Sequence, residues 1–291
     1  MACELELMMS GMSEERKKRI LDKADRLEVF FKDEVVYMKD KEENYVGKVF
    51  KTNSGASCIV VSYSGCNNVK IRFLDETNYE MVVHSSNLKS GRIKSPYTPI
   101  VYGVGFLGVG KFKPSNNGIK NKYYELWCSI IARCYSEKRL KQVSFYRGCS
   151  VCKEWHDFQN FAKWYTEQEF CFDGYHLDKD ILVEGNKIYS PETCSLVPME
   201  INVLFTDSKS SRGEYPIGVH FDKSSGKFTA QISCFGKRLF LGRFDTVEEA
   251  HNAYKVKKEG YVKEVANKYK GEVSNEVYSR MMEWKSPEYS F

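Results

Sequence analysis

The chain has 291 residues, 42% of them apolar, and a net charge of +5, a balance that excludes a disordered chain and suits two or three small domains. No run of 18 apolar residues occurs and no signal peptide opens the chain, so a membrane partner is excluded and a cytoplasmic protein is expected. The 10 Cys are scattered, with one C-x-x-C pair, which excludes a secreted disulfide scaffold.

Within residues 1–44, Ile20, Leu21, Ala24, Leu27 and Phe30 recur at helical spacing among charges and predict an amphipathic helix from Met12 to Phe31. Its charges read as the solvated face of a packing helix. Residues 45–95 change period. YVGKVF, SCIVVSY, NVKIRFL and YEMVVHS are short, β-branched and separated by Gly, Asn and Asp turns. They predict a small antiparallel sheet or an SH3-like barrel.

The stretch GVGFLGVGKF within 96–122 is rich in glycine. No Lys-Ser or Lys-Thr closes it and no apolar strand feeds it, so a phosphate loop and a small-molecule cofactor are not expected. It reads as a linker packed against the next domain. Tyr123 to Tyr135 predicts a helix with Leu126, Trp127, Ile130, Ile131 and Cys134 on one broad face. Trp155, Phe158, Phe161 and Trp164 repeat at intervals of three and read as core, not as a base-stacking platform. Glu154, His156 and Asp157 are expected on the opposite, solvated side. Cys149 and Cys152 lack a second pair, so zinc is not expected and buried thiols are the simpler reading.

From His176 to Asn202 the order is a short strand carrying one His and two Asp, a turn-rich loop, a second strand and a helix. By period two, His176, Asp178 and Asp180 fall on one side of the first strand. The spacing His176-Leu177-Asp178, Gly185-Asn186, Pro191-Glu192 through Val197 to Asn202 resembles the HNH endonuclease motif, a ββα-metal finger. That resemblance implies a divalent ion held by oxygen ligands, magnesium or manganese, and a base that activates water. Two registers are open. In one, His176 is the base, with Asp178 and Asn202 at motif positions and Tyr175 where a metal ligand usually stands. In the other, Asp178 and Asn202 hold the metal, Asp180 adds a ligand and Lys179 occupies the base position. A third reading is a finger that does not cleave.

Residues 213–270 contain Gly218-Val219, Gly226-Lys227-Phe228, Ala230-Gln231-Ile232 and Leu241-Gly242-Arg243-Phe244, followed by Thr246 to Ala250 and Tyr254. The period predicts three strands, then a helix capped by Thr246 that buries Ala250, Ala253, Tyr254 and Val256. Five Lys and Arg and no acid lie between Lys223 and Phe244. The segment resembles the AP2/ERF DNA-binding domain. The resemblance implies contacts to double-stranded DNA from His220, Lys223, Lys227, Gln231, Ser233, Arg238 and Phe240.

The order of elements over about 95–270 resembles that of a bacteriophage-type HNH homing endonuclease. It implies an α+β, multidomain chain: a helix in 1–44, a small β-barrel-like module in 45–95 and a linker in 96–122. An HNH-like core in 123–210, an AP2-like module in 213–270 and a tail in 271–291 complete it. The function implied is site-selective hydrolysis of phosphodiester bonds in DNA, in the host-cell cytoplasm for a phage protein. The alternatives are a catalytically dead, DNA-binding regulator and a phage protein that binds a host protein through 45–95.

Overall fold

A computed structural model describes residues 13–15, 17–19, 22, 44–205 and 214–287. Glu14, Glu15, Lys17, Lys18, Arg19 and Asp22 are helical, and the rest of the expected amino-terminal helix lies outside the described residues. The fold is mixed α+β in two compact units, Met1–Thr98 and Pro99–Phe291. Among the described residues no helix is long and apolar enough to cross a membrane.

The first unit holds four strands, β1 (Val49–Lys51), β2 (Ser57–Tyr63), β3 (Val69–Phe73) and β4 (Glu80–Val83), paired antiparallel in sequence order. The alternation in β3 shows why: Val69, Ile71 and Phe73 are buried, while Lys70 and Arg72 face outward and both pair with Glu80 of β4. The expected sheet is present, and the expected barrel is not closed. β1 and β4 remain edges, because a short helix covers the apolar face instead. That helix, α1 (Ser85–Lys89), sends Leu88 into the core, joined by Ile93 after it. The edge strands leave Val49 and Val82 exposed.

Among its described residues the second unit has two large cores and a small third cluster at Val219, Ala230 and Ala250. The first is aromatic. α2 (Lys122–Tyr135) buries Trp127, Ile130, Ile131 and Cys134, as its period predicts, and the Trp127 indole N–H donates to the Trp155 carbonyl at 2.7 Å. α3 (Glu137–Gln142) follows, then α4 (Phe158–Thr166), which contributes Phe158 and Phe161. Each of these large side chains is worth about 1.5–3 kcal/mol of transfer free energy. The glycine-rich stretch is fastened to this core. Gly105 lies against the Trp127 ring, where a Cβ would fall 2.7 Å from the ring carbon Cζ2. The Gln159 amide donates to the carbonyls of Leu107 and Phe112 and accepts from the Phe112 N–H. Asp157 is not solvated as expected. It caps α4, accepting from the Gln159 N–H at 2.8 Å, and burial raises its carboxyl above the usual range.

The second core joins elements that the sequence reading placed in separate modules. A three-stranded antiparallel sheet comprises β11 (Val219–Asp222), β12 (Lys227–Cys234) and β13 (Lys237–Phe244), and α6 (Val247–Lys268) packs on it. The strands and helix between the two cores are β5 (Ser115–Asn116), β6 (Ile119–Lys120), β7 (Ser150–Val151), β8 (Tyr175–Asp178), β9 (Ile188–Tyr189), β10 (Ser195–Pro198) and α5 (Met199–Leu204). Ile201 and Leu204 of α5 lie in one cluster with Tyr261, Val262 and Val265 of α6. The segment 271–291 is not only a tail. It includes α7 (Asn275–Glu283), which buries Val277 and Met281 against α6. Along α6 the buried stripe is Ala250, Tyr254, Tyr261 and Val265, and His251 is buried beside it. Val256, expected inside, is 75% exposed. Two positions beyond Tyr254 is about 200° around a helix, which is the outer side.

Candidate nucleic-acid interface and the neighbouring finger

The strand-loop-strand-helix order expected for 176–202 is present. β8 pairs antiparallel with β10, His176 opposite Val197 and Asp178 opposite Ser195, and α5 follows directly and packs on both strands. The detail differs from the expectation at Asp180. The Asp178 Oδ1 accepts from the N–H groups of Asp180 and Ile181, at 2.8 and 2.7 Å. Such an Asp closes a turn and ends the strand. Asp180 therefore stands in the turn, not on the face of β8 shared by His176 and Asp178.

Lys179 is 11% exposed. Its Nζ donates to both carboxylate oxygens of Asp180, at 2.6 and 2.7 Å, and to the Asn186 carbonyl at 2.6 Å. The Asn186 amide in turn donates to the carbonyls of Lys179 and Ile188. Gly185-Asn186, a motif position by resemblance, thus serves to staple the loop. Three acceptors occupy the three protons of the ammonium, so Lys179 is held as a donor and not as a base. Burial, the largest influence, raises the Asp178 carboxyl above its usual range, against the pull of the two N–H groups.

His176 is exposed, with no hydrogen bond to another described residue. Asn202 is half-buried in the first turn of α5. Among the described residues no three His, Cys, Asp or Glu side chains stand together. As placed, the oxygen donors are partly engaged with their own neighbours. Asp180 is neutralised by Lys179, and one oxygen of Asp178 is committed to two amides. A hard cation such as magnesium or manganese needs open oxygen ligands. In the structure His176 is the accessible imidazole, while Lys179 and Asp180 are paired with each other. Cys149 is buried in the aromatic core and burial raises the Cys152 thiol, as for packed thiols.

The sheet is arranged differently. Paired residues in neighbouring strands point to the same side. One side carries Val219, Phe228 and Ala230, and α6 covers it with Ala250 and Val247. The other side carries His220, Lys227, Gln231, Ser233, Arg238 and Phe240, six of the seven positions selected from the sequence. Lys223 lies in the turn after β11. Phe240 is 62% exposed, and His220, Ser233 and Arg238 are exposed with it. An exposed aromatic among cations suits contact with sugar and base edges as well as phosphate.

Three residues of this face were missed by the sequence reading: Asp222, Thr229 and Arg243. β13 holds one extra residue, since Ala230 pairs with Gly242 but Gln231 pairs with Phe240. Gly242 has φ +141°, a conformation open to glycine, at this bulge. A strict count by two from Arg238 puts Arg243 on the helix side. The bulge turns it to the open side, opposite Thr229, where its guanidinium lies 5.6 Å from the Phe240 ring centre. The face is also less purely basic than its sequence. Arg243 pairs with Asp222 at 3.4 Å and Lys227 with Asp245 at 2.9 Å. Asp222 also accepts from Ser224 and Ser225, and those hydrogen bonds hold its carboxyl well below the usual range. Arg238, His220 and Lys223 are in no ion pair among the described residues.

Comparison with family models, with curated proteins and with solved structures returned no match, so the functional reading rests on these residues and their geometry.

Proposed function

We propose that this chain binds double-stranded DNA through the open face of β11–β13. The observation that carries the reading is the sorting of side chains: Val219, Phe228 and Ala230 turn to α6, and His220, Gln231, Ser233, Arg238 and Phe240 turn outward together. A partly aromatic face that carries Arg238 and His220 attracts phosphates and presents amide and hydroxyl groups to base edges. Titration of the full chain against a duplex at graded salt tests this. Tight binding with a steep salt dependence supports it, and binding that ignores salt sinks it.

The second reading is an HNH-type DNA endonuclease with the sheet choosing the site. The specific observation in its favour is the hairpin-plus-helix order around His176, exposed on β8 and free to face a backbone brought by the sheet. In this reading His176 takes a proton from the attacking water, and a divalent ion is part of the assay mixture. His176→Ala should lower cleavage of plasmid DNA in magnesium or manganese by roughly a hundredfold or more, the usual contribution of a general base. If the wild type cleaves no DNA that it binds, the non-cleaving regulator stands.

A further inference from the structure

We propose that the chain holds duplex DNA at a second basic surface, formed by α3, the turn at 145–147 and Lys187. The proposal rests on the reading of the chain as a duplex-DNA binder and extends that partner to the aromatic core. Between Arg133 and Lys153 the sequence has six Lys and Arg, with Glu137 the one acid. The structure gathers four of them. Lys138, Arg139 and Lys141 are exposed on α3, and Arg147 is tied to that helix by its Nε, which donates to the Leu140 carbonyl at 3.4 Å. Lys187 reaches the same turn, donating to the Phe145 carbonyl at 3.4 Å, while its own carbonyl accepts from the Ser150 N–H. Arg133 lies beneath, its guanidinium 5.7 Å from the centre of the Tyr146 ring, with no partner for its buried Nε among the described residues.

None of these cations is paired with a carboxylate among the described residues. Other cations of the same unit do have carboxylate partners: Lys122 pairs with Asp173, Lys257 with Glu264, Lys268 with Glu200 and Lys285 with Glu259. The carbonyls that Arg147 and Lys187 touch carry no net charge, and with Glu137 as the one acid of α3 the surface keeps a net positive charge. The dipole of a short helix accounts for basic residues in its last turn. It does not account for Arg147 and Lys187, which lie outside α3. Phe145, 66% exposed at the centre of the cluster, adds the aromatic contact that nucleic-acid surfaces use and that a merely solvated lysine face lacks. Phosphates spaced along a duplex are the ligand that a predominantly basic surface of this kind matches.

The test uses the full chain and a labelled mixed-sequence duplex of about 30 base pairs, with salt varied from about 0.05 to 0.3 M. The variant R139Q/R147Q/K187Q should flatten the slope of log affinity against log salt by roughly 2–3, and weaken binding about tenfold to a hundredfold near 0.15 M salt. The charge-keeping variant R139K/R147K/K187R should retain the wild-type slope. If the triple variant has a lowered unfolding midpoint, R139Q alone, on the exposed side of α3, decides the question through a slope change of about 0.9. An unchanged slope in the neutral variants, while Arg238→Ala flattens it, overturns the second surface and leaves the sheet reading intact. A wild type that binds no duplex removes both.

Discussion

Lys179 and Arg238 are both basic residues next to a turn in the same compact unit, and the chain uses them in opposite ways. Lys179 is 11% exposed, and its three donors go to Asp180 and to the Asn186 carbonyl. Arg238 is exposed on the open face of β13, in no ion pair among the described residues. The same contrast separates the two regions as wholes. In the finger, polar side chains are turned upon their own backbone: Asp178 closes a turn and Asn186 staples a loop. In the sheet, His220, Ser233 and Arg238 are turned to solvent, and the backbone is satisfied by strand pairing. A charged residue used to build a turn is not available to a ligand, because its hydrogen-bonding capacity is already committed. On the proposed reading the sheet is the region that meets a partner, and the finger is the region built to keep its shape.

The contrast breaks first at Asp178. If the carboxylate builds the turn, Asp178→Ala leaves the N–H groups of Asp180 and Ile181 without their acceptor. The expected loss is about 1–3 kcal/mol, the usual cost of leaving such a donor unmet. Urea denaturation of the full chain measures it. A variant as stable as the wild type would mean that the turn does not depend on Asp178, and would make that residue a candidate ligand again. Duplex affinity should hardly change, since the sheet is unaltered.

Arg238→Ala is the complementary variant, with a smaller effect. It should leave stability within about 0.5 kcal/mol, as surface substitutions do. It should flatten the salt slope of duplex binding by about 0.9, one phosphate contact. If it instead destabilises the fold and spares the salt slope, the sheet face is structural and the contrast is reversed.

What was legible in the sequence follows from the same distinction. Periodicity reported burial well. Trp127, Ile130, Ile131 and the row at Trp155, Phe158 and Phe161 are core, because apolar spacing has one physical meaning. The open face of the sheet was legible for the same reason, up to the bulge before Gly242, where an extra residue defeats counting by two. The role of Asp178 was not legible, since an Asp that caps a turn and an Asp that holds a metal are the same letter. Only the positions of the Asp180 and Ile181 N–H groups decide between them. The shared core of α5, α6 and α7 was also hidden: each helix by itself shows a narrow apolar stripe, and nothing local tells which stripe meets which. That shared core bears on experiment, because a fragment ending before α7 would lose Val277 and Met281 from it.

The smallest effect is the most specific. Burial raises the Asp178 carboxyl above its unfolded value, and the Asp180 charge adds to the rise, while the two N–H groups and Lys179 oppose it. A raised carboxyl means that the folded state holds the proton more tightly than the unfolded state. The contribution to stability is then fully present below the ordinary carboxylate range, and it is lost as pH rises through the folded value. Asp178→Asn keeps an acceptor oxygen for both amides and has no proton to lose. Relative to this variant, the wild type should therefore lose stability as pH climbs from the ordinary carboxylate range to the folded value, and run parallel to it above. Thermal unfolding of the two proteins over that range gives the comparison. If the two curves stay parallel throughout, Asp178 is not desolvated in solution, and its carboxylate is as open to a ligand as the residues of the sheet face.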